Sequence, residues 1–429
     1  MAVVISISLL TVAATALLAL FEPLLHPKHL SARIYWLAPF AGALILLCGG
    51  LISFGEVGAG LVAESAVNPI KILVLFLSMT LISIFLDEAG FFRYLASQVL
   101  HRAGRSQKKL FLLLYLVVSV LTVFTSNDIV ILTFTPFICY FSKHAKIDPL
   151  PYLIAEFVAA NTWSMALIIG NPTNIYLAAG AGIDFGTYFA VMALPTLFAG
   201  IAGFGVLWLL FFKKLRVEIT PDDEEIHLSD KPTVVLGVVS LGGCIVFMVF
   251  STYLNIPMWV VSLAACLLLY LAAIPELKLR KRGLEVVTHS LKRAPFDVIP
   301  FVISMFVLVL ALNKVGATDA LASLLLVEGE IWRTGVGSFL CANLTNNIPM
   351  SVLFSSVVDT GHLPALYAAV IGSNIGAFFT PMGALAGIMF MTLLRQHGVK
   401  LSFGRFIAYG VALSLPSLAA ALGGLSLVL

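Results

Sequence analysis

Two short polar runs interrupt long apolar stretches of this chain, and their side chains are of types that can hold a small solute. The first run is Thr125-Ser126-Asn127-Asp128 and the second is Asn343-Leu344-Thr345-Asn346-Asn347. Serine, threonine and asparagine side chains donate and accept hydrogen bonds without carrying a charge. At the start of a helix they also act as N-caps, in front of a partial positive charge. The runs therefore predict a site for an oxygen-rich solute that is neutral or anionic.

A second interruption follows each run, and the spacing within it repeats. Asn161 is followed nine residues later by Gly170, and Asn374 is followed nine residues later by Gly383. Glycine lets two backbones approach closely, and proline suits the first turn of a helix that follows a break. The residues predicted to bind the solute are Ser126, Asn127, Asn161, Thr162, Asn171, Thr173, Thr345, Asn346, Asn347, Asn374 and Thr380. The residues predicted to break the helices are Gly170, Pro172, Pro349, Gly376, Pro381 and Gly383.

Helix capping alone is the competing explanation for each residue, because asparagine and threonine also cap kinked helices that bind nothing. The two matched pairs taken together favour a binding site. Inside hydrocarbon an unpaired backbone group costs several kcal/mol, so irregular backbone persists only where protein, water or a solute satisfies it.

Two carboxylates within apolar sequence are the candidates for carrying a proton. Asp128 belongs to the first polar run, and Glu156 lies in the apolar stretch before Asn161. Burial disfavours the charged form of a carboxyl group, so such a group can exchange protons near physiological pH. Asp128 is the preferred coupling residue, because its protonation would change the charge of the site directly. The competing explanations are a helix-capping role for Asp128 and a cytoplasmic vestibule in front of Glu156.

The composition indicates that a membrane protein positions these residues. Of the 429 residues, 60% are hydrophobic and 11% are charged, and the mean hydropathy is +1.04. About a quarter of the residues of a soluble domain are charged. Most of the surface of this protein must therefore face lipid. A net charge of +3, without basic runs interleaved with aromatic residues, excludes nucleic acid as a partner.

The sequence predicts no enzyme activity, no cofactor and no metal. All eight histidines fall in or beside predicted loops, and the five cysteines lie in apolar stretches without CxxC spacing. These positions favour neither a zinc site nor a disulfide framework. Nucleotide-binding and hydrolase fingerprints are also missing from any usable context.

Ten apolar segments are long enough to cross about 30 Å of hydrocarbon. The spans at 150–180 and 364–393 are interrupted by polar, glycine and proline residues. The others are 3–21, 34–54, 70–86, 187–212, 233–253, 258–274, 297–314 and 405–428. The first begins without a basic region or cleavage site, which favours a span over a cleaved signal peptide. Beside the third, Asp87 and Glu88 are expected to form a solvated surface cluster with Arg93.

The segments 110–142 and 331–358 are predicted to be re-entrant hairpins around the two polar runs. Each has two apolar arms of about 15 residues, which reach only about 22 Å as helices. With the N-terminus outside, 22 of the 25 lysines and arginines then fall in cytoplasmic segments. The exceptions are Lys71, Lys314 and Arg333. This distribution satisfies the positive-inside rule and supports the topology.

The predicted fold is an all-α polytopic membrane protein made of two inverted-topology repeats. The first repeat covers 1–220 and the second covers 221–429, with the boundary near the acidic loop Pro221-Asp222-Asp223-Glu224-Glu225. Each repeat contains three spans, a hairpin, a broken span and a final span. Inverted repeats with discontinuous helices are typical of secondary transporters whose binding site lies between the repeats.

Several motifs make the chain resemble the arsenite permease family of the ion transporter superfamily. The resemblance rests on Leu86-Asp87-Glu88-Ala89-Gly90-Phe91-Phe92, Ser126-Asn127-Asp128 with Thr135-Pro136, Asn346-Asn347-Ile348-Pro349, and Thr380-Pro381-Met382-Gly383-Ala384-Leu385. It implies ten spans with two re-entrant hairpins in a bacterial inner membrane. It also implies export of arsenite or antimonite in exchange for protons, alone or with a soluble ATPase subunit.

A second transport function stays open. The stretch from Gly170 to Asn174 resembles the broader superfamily, which includes silicic acid, sodium/proton and carboxylate carriers. Arsenite permeases also tend to carry Asp where this chain has Asn161 and Asn374, and Lys where it has Phe378. The alternative is a sodium- or proton-coupled small-anion carrier or a sodium/proton antiporter. Arsenous acid is an uncharged trihydroxide at neutral pH, which uncharged amides and hydroxyls can bind, so arsenite-like oxyacids are the leading hypothesis. The sequence makes no prediction of an oligomeric state.

Overall fold

The structure is a computed structural model that describes residues 1–25, 34–62, 68–179, 181–219, 228 and 230–429. Part of the first predicted cytoplasmic segment and the acidic loop at the predicted repeat boundary lie outside the described residues. Within these ranges every extended regular element is a helix, and a lone bridge joins Ser106 to Glu218. The all-α prediction is therefore confirmed.

Ten α-helices lie on each side of the acidic loop. The first ten are α1 (Ala2–Leu25), α2 (Leu37–Cys48), α3 (Phe54–Val62), α4 (Pro69–Glu88), α5 (Phe91–Ala103), α6 (Gln107–Phe124), α7 (Asn127–His144), α8 (Leu150–Trp163), α9 (Pro172–Asn174) and α10 (Phe185–Phe211). The second ten are α11 (Lys231–Val249), α12 (Met258–Leu279), α13 (Glu285–Arg293), α14 (Val298–Lys314), α15 (Ala317–Leu325), α16 (Glu330–Thr345), α17 (Asn347–Val357), α18 (Leu363–Gly376), α19 (Leu385–Gln396) and α20 (Phe403–Val428).

Seven stretches of the described chain are long and apolar enough to cross a membrane, which agrees with a polytopic membrane protein. They are α4, α6, α10, α11, α12, the α13–α14 stretch and α20. Six of the seven match predicted spans, and α6 is an arm of the first predicted hairpin. The other four of the ten predicted spans correspond to α1, to α2 and to the helices of the two broken spans. A break divides each of those two spans into short helices, so no single helix within them is long enough to cross the membrane.

The helices α6 and α7 are antiparallel arms on either side of Ser126. Tyr152 at the start of α8 donates to Gln107 Oε1, and Trp163 at its end donates to Tyr115, so α6 and α8 run in the same direction. Asn127 bonds to Asn161 near the end of α8, so α7 runs the opposite way.

The arms of the first hairpin are longer than the sequence indicated. Both α6 and α7 have 18 residues, and α16 and α17 have 16 and 11. An 18-residue helix extends for about 27 Å, so the length argument for re-entrance is weaker for the first hairpin than for the second. Re-entrance of the first hairpin therefore depends on the distribution of charge.

Helix contacts recur in the two halves. The helix α6 packs on α8 as α16 packs on α18, and α2 packs on α14 as α12 packs on α4. The long helices α10 and α20 pack against each other and join the ends of the two halves. Both α8 and α18 are buried along nearly their whole length, so polar side chains on them must find partners within the protein.

The predicted solvated cluster beside Arg93 is wrong. Asp87 is only 6% exposed, accepts a hydrogen bond from Thr133 Oγ1 at 2.7 Å, and pairs with Arg293 at 2.8 Å. Glu88 also pairs with Arg293, and His289 lies 3.6 Å from it. The partner comes from α13, more than 200 residues away, so local sequence could not indicate it.

Candidate solute site at the helix breaks

The first broken span loses its helical form after Trp163. Two 3-10 turns at 164–166 and 168–170 are followed by an extended Asn171, the short α9 and a π-helical turn at 175–179. Gly170 permits this path, because a Cβ there would lie 2.2 Å from the carbonyl oxygen of Ser164. Pro172 starts α9, and Asn171 Oδ1 accepts a hydrogen bond from the Thr173 amide at 3.1 Å. These residues therefore make the break that the sequence predicted.

The carboxamide of Asn374 in α18 makes three hydrogen bonds to this break and one to its own helix. Its Oδ1 accepts from Ser164 Oγ at 2.8 Å and from Asn171 Nδ2 at 3.0 Å. Its Nδ2 donates to Asn174 Oδ1 at 2.7 Å and to the Val370 carbonyl at 2.9 Å. This buried carboxamide therefore binds the second half of the chain to the break in the first.

The first hairpin tip reaches the same network through α8. Asn127 Nδ2 donates to Asn161 Oδ1 at 3.0 Å. Ser164 Oγ, which shares its one proton between Asn374 Oδ1 and the Asn161 backbone carbonyl, lies 2.9 Å from that carbonyl oxygen. Hydrogen bonds thus run without interruption from Asn127 through Asn161 and Ser164 to Asn374. We call these four residues the break network.

Several buried oxygens beside the break network have no hydrogen-bond partner among the described residues. Fourteen buried side-chain atoms of the described chain lack a partner, and six belong to the first tip or to the two broken spans. These six are Ser126 Oγ, Asn127 Oδ1, Thr162 Oγ1, Thr173 Oγ1, Tyr176 Oη and Ser373 Oγ. A buried polar atom without a partner costs about 1–3 kcal/mol, so the site retains binding capacity that the protein does not use.

Ser126 was expected to cap α7, and it does so only in its backbone. It occupies the N-cap position in an extended conformation, but its hydroxyl makes no capping hydrogen bond. The expectation of a side-chain cap is therefore wrong for Ser126, since its hydroxyl is one of the unpartnered oxygens.

The second hairpin tip bonds to the second break. Asn346 has a φ of +78° and caps α17 through Oδ1, and its Nδ2 donates to the Met382 carbonyl at 3.2 Å. The Asn347 amide donates to the Gly383 carbonyl at 3.0 Å, and Pro349 lies in the first turn of α17. The Thr345 hydroxyl is occupied by local backbone carbonyls.

Asn343, which belongs to the second polar run but was not among the predicted binding residues, fastens α16 to the second break. Its Oδ1 accepts from the amide and hydroxyl of Thr380 at 3.1 and 2.7 Å, and its Nδ2 donates to the Gly376 carbonyl at 3.1 Å. Gly383 is required there, because a Cβ would lie 2.3 Å from the Gly376 carbonyl oxygen. Pro381 lies in the turn between α18 and α19. The signal that could have identified Asn343 is its place at the start of the second polar run.

Ser164 and Tyr176 were also missed as site residues. Ser164 lies three residues after Asn161, one helical turn along, which is the signal that could have identified it. Tyr176 lies in the π-helical turn, and periodicity gives no indication of it.

The two candidate proton carriers lie in different surroundings. Glu156 is completely buried, and Thr135 Oγ1 lies 3.0 and 3.1 Å from its two carboxyl oxygens. In the described chain no lysine or arginine pairs with it. It precedes Asn161 by five residues, about 7.5 Å along α8. Asp128 is partly exposed in the first turn of α7, where the helix dipole favours a negative charge. The vestibule explanation therefore does not hold for Glu156 in this structure.

The sequence matches known transporters over most of its length. The family model described as CitMHS, citrate transporter, matches residues 16–362. A putative arsenical pump membrane protein of Bacillus subtilis (strain 168) is 27% identical and covers 89% of this chain and 91% of its own length. An arsenical pump membrane protein of Escherichia coli (strain K12) is 28% identical and covers 82% of this chain and 85% of its own length. An arsenical pump membrane protein of Yersinia enterocolitica is 27% identical and covers 96% of this chain and 96% of its own length.

These relatives are named as membrane transport proteins and not as enzymes, which agrees with the absence of catalytic motifs. The resemblance to arsenite permeases that the motifs indicated is confirmed. Because the family model covers well over half of the sequence, this chain belongs to the CitMHS family of membrane transporters.

Proposed function

We propose that this chain is a secondary transporter that exports arsenite- or antimonite-like oxyacids in exchange for protons. The observation that carries the proposal is the set of unpartnered buried oxygens at the first hairpin tip and in the two broken spans, which the break network connects. The named activities of the arsenical pump relatives support the choice of substrate. An uncharged trihydroxide can donate to Ser126 Oγ and Asn127 Oδ1 without needing a positive countercharge.

Glu156 is the proposed proton carrier, in preference to Asp128. It is buried on the α7–α8 interface with a hydroxyl as its hydrogen-bond partner, and it lies about 7.5 Å from Asn161 along the helix. Protonation removes a charge that is expensive at this depth, and it converts one carboxyl oxygen from an acceptor into a donor. That change would alter the packing of α7 on α8. It would thereby alter the Asn127–Asn161 hydrogen bond, which joins the same two helices.

Alternating access is proposed to move the two hairpins and broken spans against the remaining helices. Support comes from the helix contacts that recur in both halves and from the placement of 22 of the 25 basic residues on one side. In this topology the two halves are inverted repeats, both hairpins are re-entrant, and the N-terminus is outside a bacterial inner membrane.

A sodium- or proton-coupled carrier of small anions is the second candidate. The description of the family model names a citrate transporter. The unpartnered oxygens of Ser126, Asn127 and Thr173 are also of the type that a small hard cation prefers. In that case a bound cation, and not the solute, would occupy the oxygens. Citrate uptake driven by a sodium gradient would favour this function.

Purified protein in proteoliposomes tests the two candidates without any ATPase subunit. Arsenite is added outside, and accumulation is followed with a pH gradient or a sodium gradient imposed separately. We expect arsenite to accumulate in the vesicles when the proton gradient drives protons out of them. A sodium gradient should have no effect on this accumulation. Arsenite flux that follows sodium and ignores pH would contradict proton exchange, and citrate flux without arsenite flux would replace the substrate.

A further inference from the structure

A small cavity lies between the second hairpin tip and the beginnings of α2 and α14. Asn346 and Met382 line one side of it, and Tyr35 and Phe301 line the other. Its volume of about 10 Å³ is near the minimum that holds one water molecule. A solute at Asn346 therefore cannot pass in this direction unless the side chains of Tyr35 and Phe301 move.

Tyr35 is fixed beneath the cavity by a hydrogen bond to Asp297. The Tyr35 hydroxyl donates to Asp297 Oδ2 at 2.6 Å, and its ring packs edge-on against Phe301 with ring centres 5.0 Å apart. Tyr35 is only 1% exposed. The bond connects residues 262 positions apart, and hydrogen bonds to a carboxylate are stronger than those between neutral groups.

We propose that the Tyr35–Asp297 hydrogen bond is the cytoplasmic gate of the second hairpin tip. This inference rests on the proposed function, whose topology puts the starts of α2 and α14 on the cytoplasmic side. Gate opening would break this bond and turn the Tyr35 ring away from Phe301, so that the cavity at Asn346 opens to the cytoplasm.

Cysteine labelling tests the gate. Thr15 is buried and lines the inner cavity, so Thr15→Cys is the reporter in a chain whose five native cysteines are replaced by serine. A charged, membrane-impermeant thiosulfonate is added to inside-out vesicles. We expect Tyr35→Phe to accelerate labelling about tenfold, the effect of losing one buried charge-assisted hydrogen bond.

Tyr152→Phe is the matched control, because its hydroxyl also makes a buried 2.8 Å bond to a side chain, Gln107, away from this cavity. Its labelling rate should equal that of the parent. If Tyr35→Phe does not fold, Asp297→Ala, which removes the acceptor, is measured in its place.

An unchanged labelling rate in a folded Tyr35→Phe or Asp297→Ala protein overturns the gate, as does equal acceleration by Tyr152→Phe. Labelling requires no transport, so the two proposals fail separately. Faster labelling without arsenite flux keeps the gate and overturns the proposed function, whereas arsenite flux with unchanged labelling overturns the gate alone.

Discussion

Ser164 and Asn374 are 210 residues apart in the chain, and their side chains share a buried hydrogen bond of 2.8 Å. Asn374 makes four hydrogen bonds in all, so both of its amide protons and its carbonyl oxygen are satisfied. The oxygens of Thr162, Thr173 and Ser373 nearby in the same broken spans have no partner in the described chain. A rigid, satisfied frame thus carries atoms that remain available to a solute.

Removal of the Ser164 hydroxyl should loosen the two broken spans. Ser164→Ala leaves Asn374 Oδ1 with one donor, so we expect a loss of about 1–2 kcal/mol in the free energy of unfolding. Thermal unfolding in detergent measures the change. Ser262→Ala is the control, because Ser262 is equally buried but donates only to the local Trp259 carbonyl. Equal losses in the two variants would show that the Ser164–Asn374 bond contributes nothing special.

A methyl group at Gly170 should disrupt the first break. The added Cβ would lie 2.2 Å from the Ser164 carbonyl oxygen, so backbone must shift at a cost of about 3 kcal/mol. We expect Gly170→Ala to lose transport and stability together. Gly205→Ala in α10 has no atom within 4 Å of the new Cβ and should be neutral or up to about 1 kcal/mol more stable. Normal transport by Gly170→Ala would contradict the geometry of the break.

The two carboxylates should respond differently when their charge is removed. Glu156→Gln keeps the shape and the Thr135 contact but cannot exchange a proton, so we expect at least about a hundredfold loss of pH-driven arsenite flux. Asp128→Asn should retain a pH-driven arsenite flux within about threefold of the wild-type flux, since that side chain is partly exposed. Initial rates in proteoliposomes at several imposed pH gradients give both numbers. The reverse ranking would return the coupling role to Asp128.

The pH dependence of transport should not involve the exposed pair of Glu56 and Lys314. Hydrogen bonds from the Lys314 ammonium and from Ser53 lower the pKa of Glu56 to about 2. A lowered pKa means that the pair stabilises the fold above the unfolded-state pKa and loses this effect as pH falls through about 2. Glu56→Gln should therefore leave the pH profile of transport unchanged between about pH 5 and 8. A shifted profile would place a functional group near Glu56.

The fold was predictable from the sequence wherever one residue type decides local structure. Pro172, Gly170 and Gly383 indicated both breaks, because proline ends a helix and a Cβ at either glycine would clash with backbone. Apolar runs and basic residues indicated the spans. The arm lengths of the first hairpin were underestimated, because polar residues at 107–109 and 143–144 belong to the helices.

Partners from distant sequence could not be predicted in the same way. Asp87 was expected in water because nothing nearby in sequence covers it, yet Arg293 and Thr133 reach it from other helices. Asn374 was identified by its spacing to Gly383, but its partners Ser164 and Asn174 lie in the other half of the chain. Such contacts depend on how the two broken spans cross, which composition does not encode.

The most direct test of the central claim is arsenite-dependent thermal stabilisation of the wild-type protein and of Thr173→Val. Valine has the shape of threonine but lacks the unpartnered Thr173 hydroxyl, so the variant alone should be as stable as wild type or slightly more stable. Arsenite should raise the unfolding temperature of wild type and have a much smaller effect on Thr173→Val. If arsenite stabilises both proteins equally, or if the variant alone is clearly less stable, the unpartnered oxygens do not form a binding site for the solute.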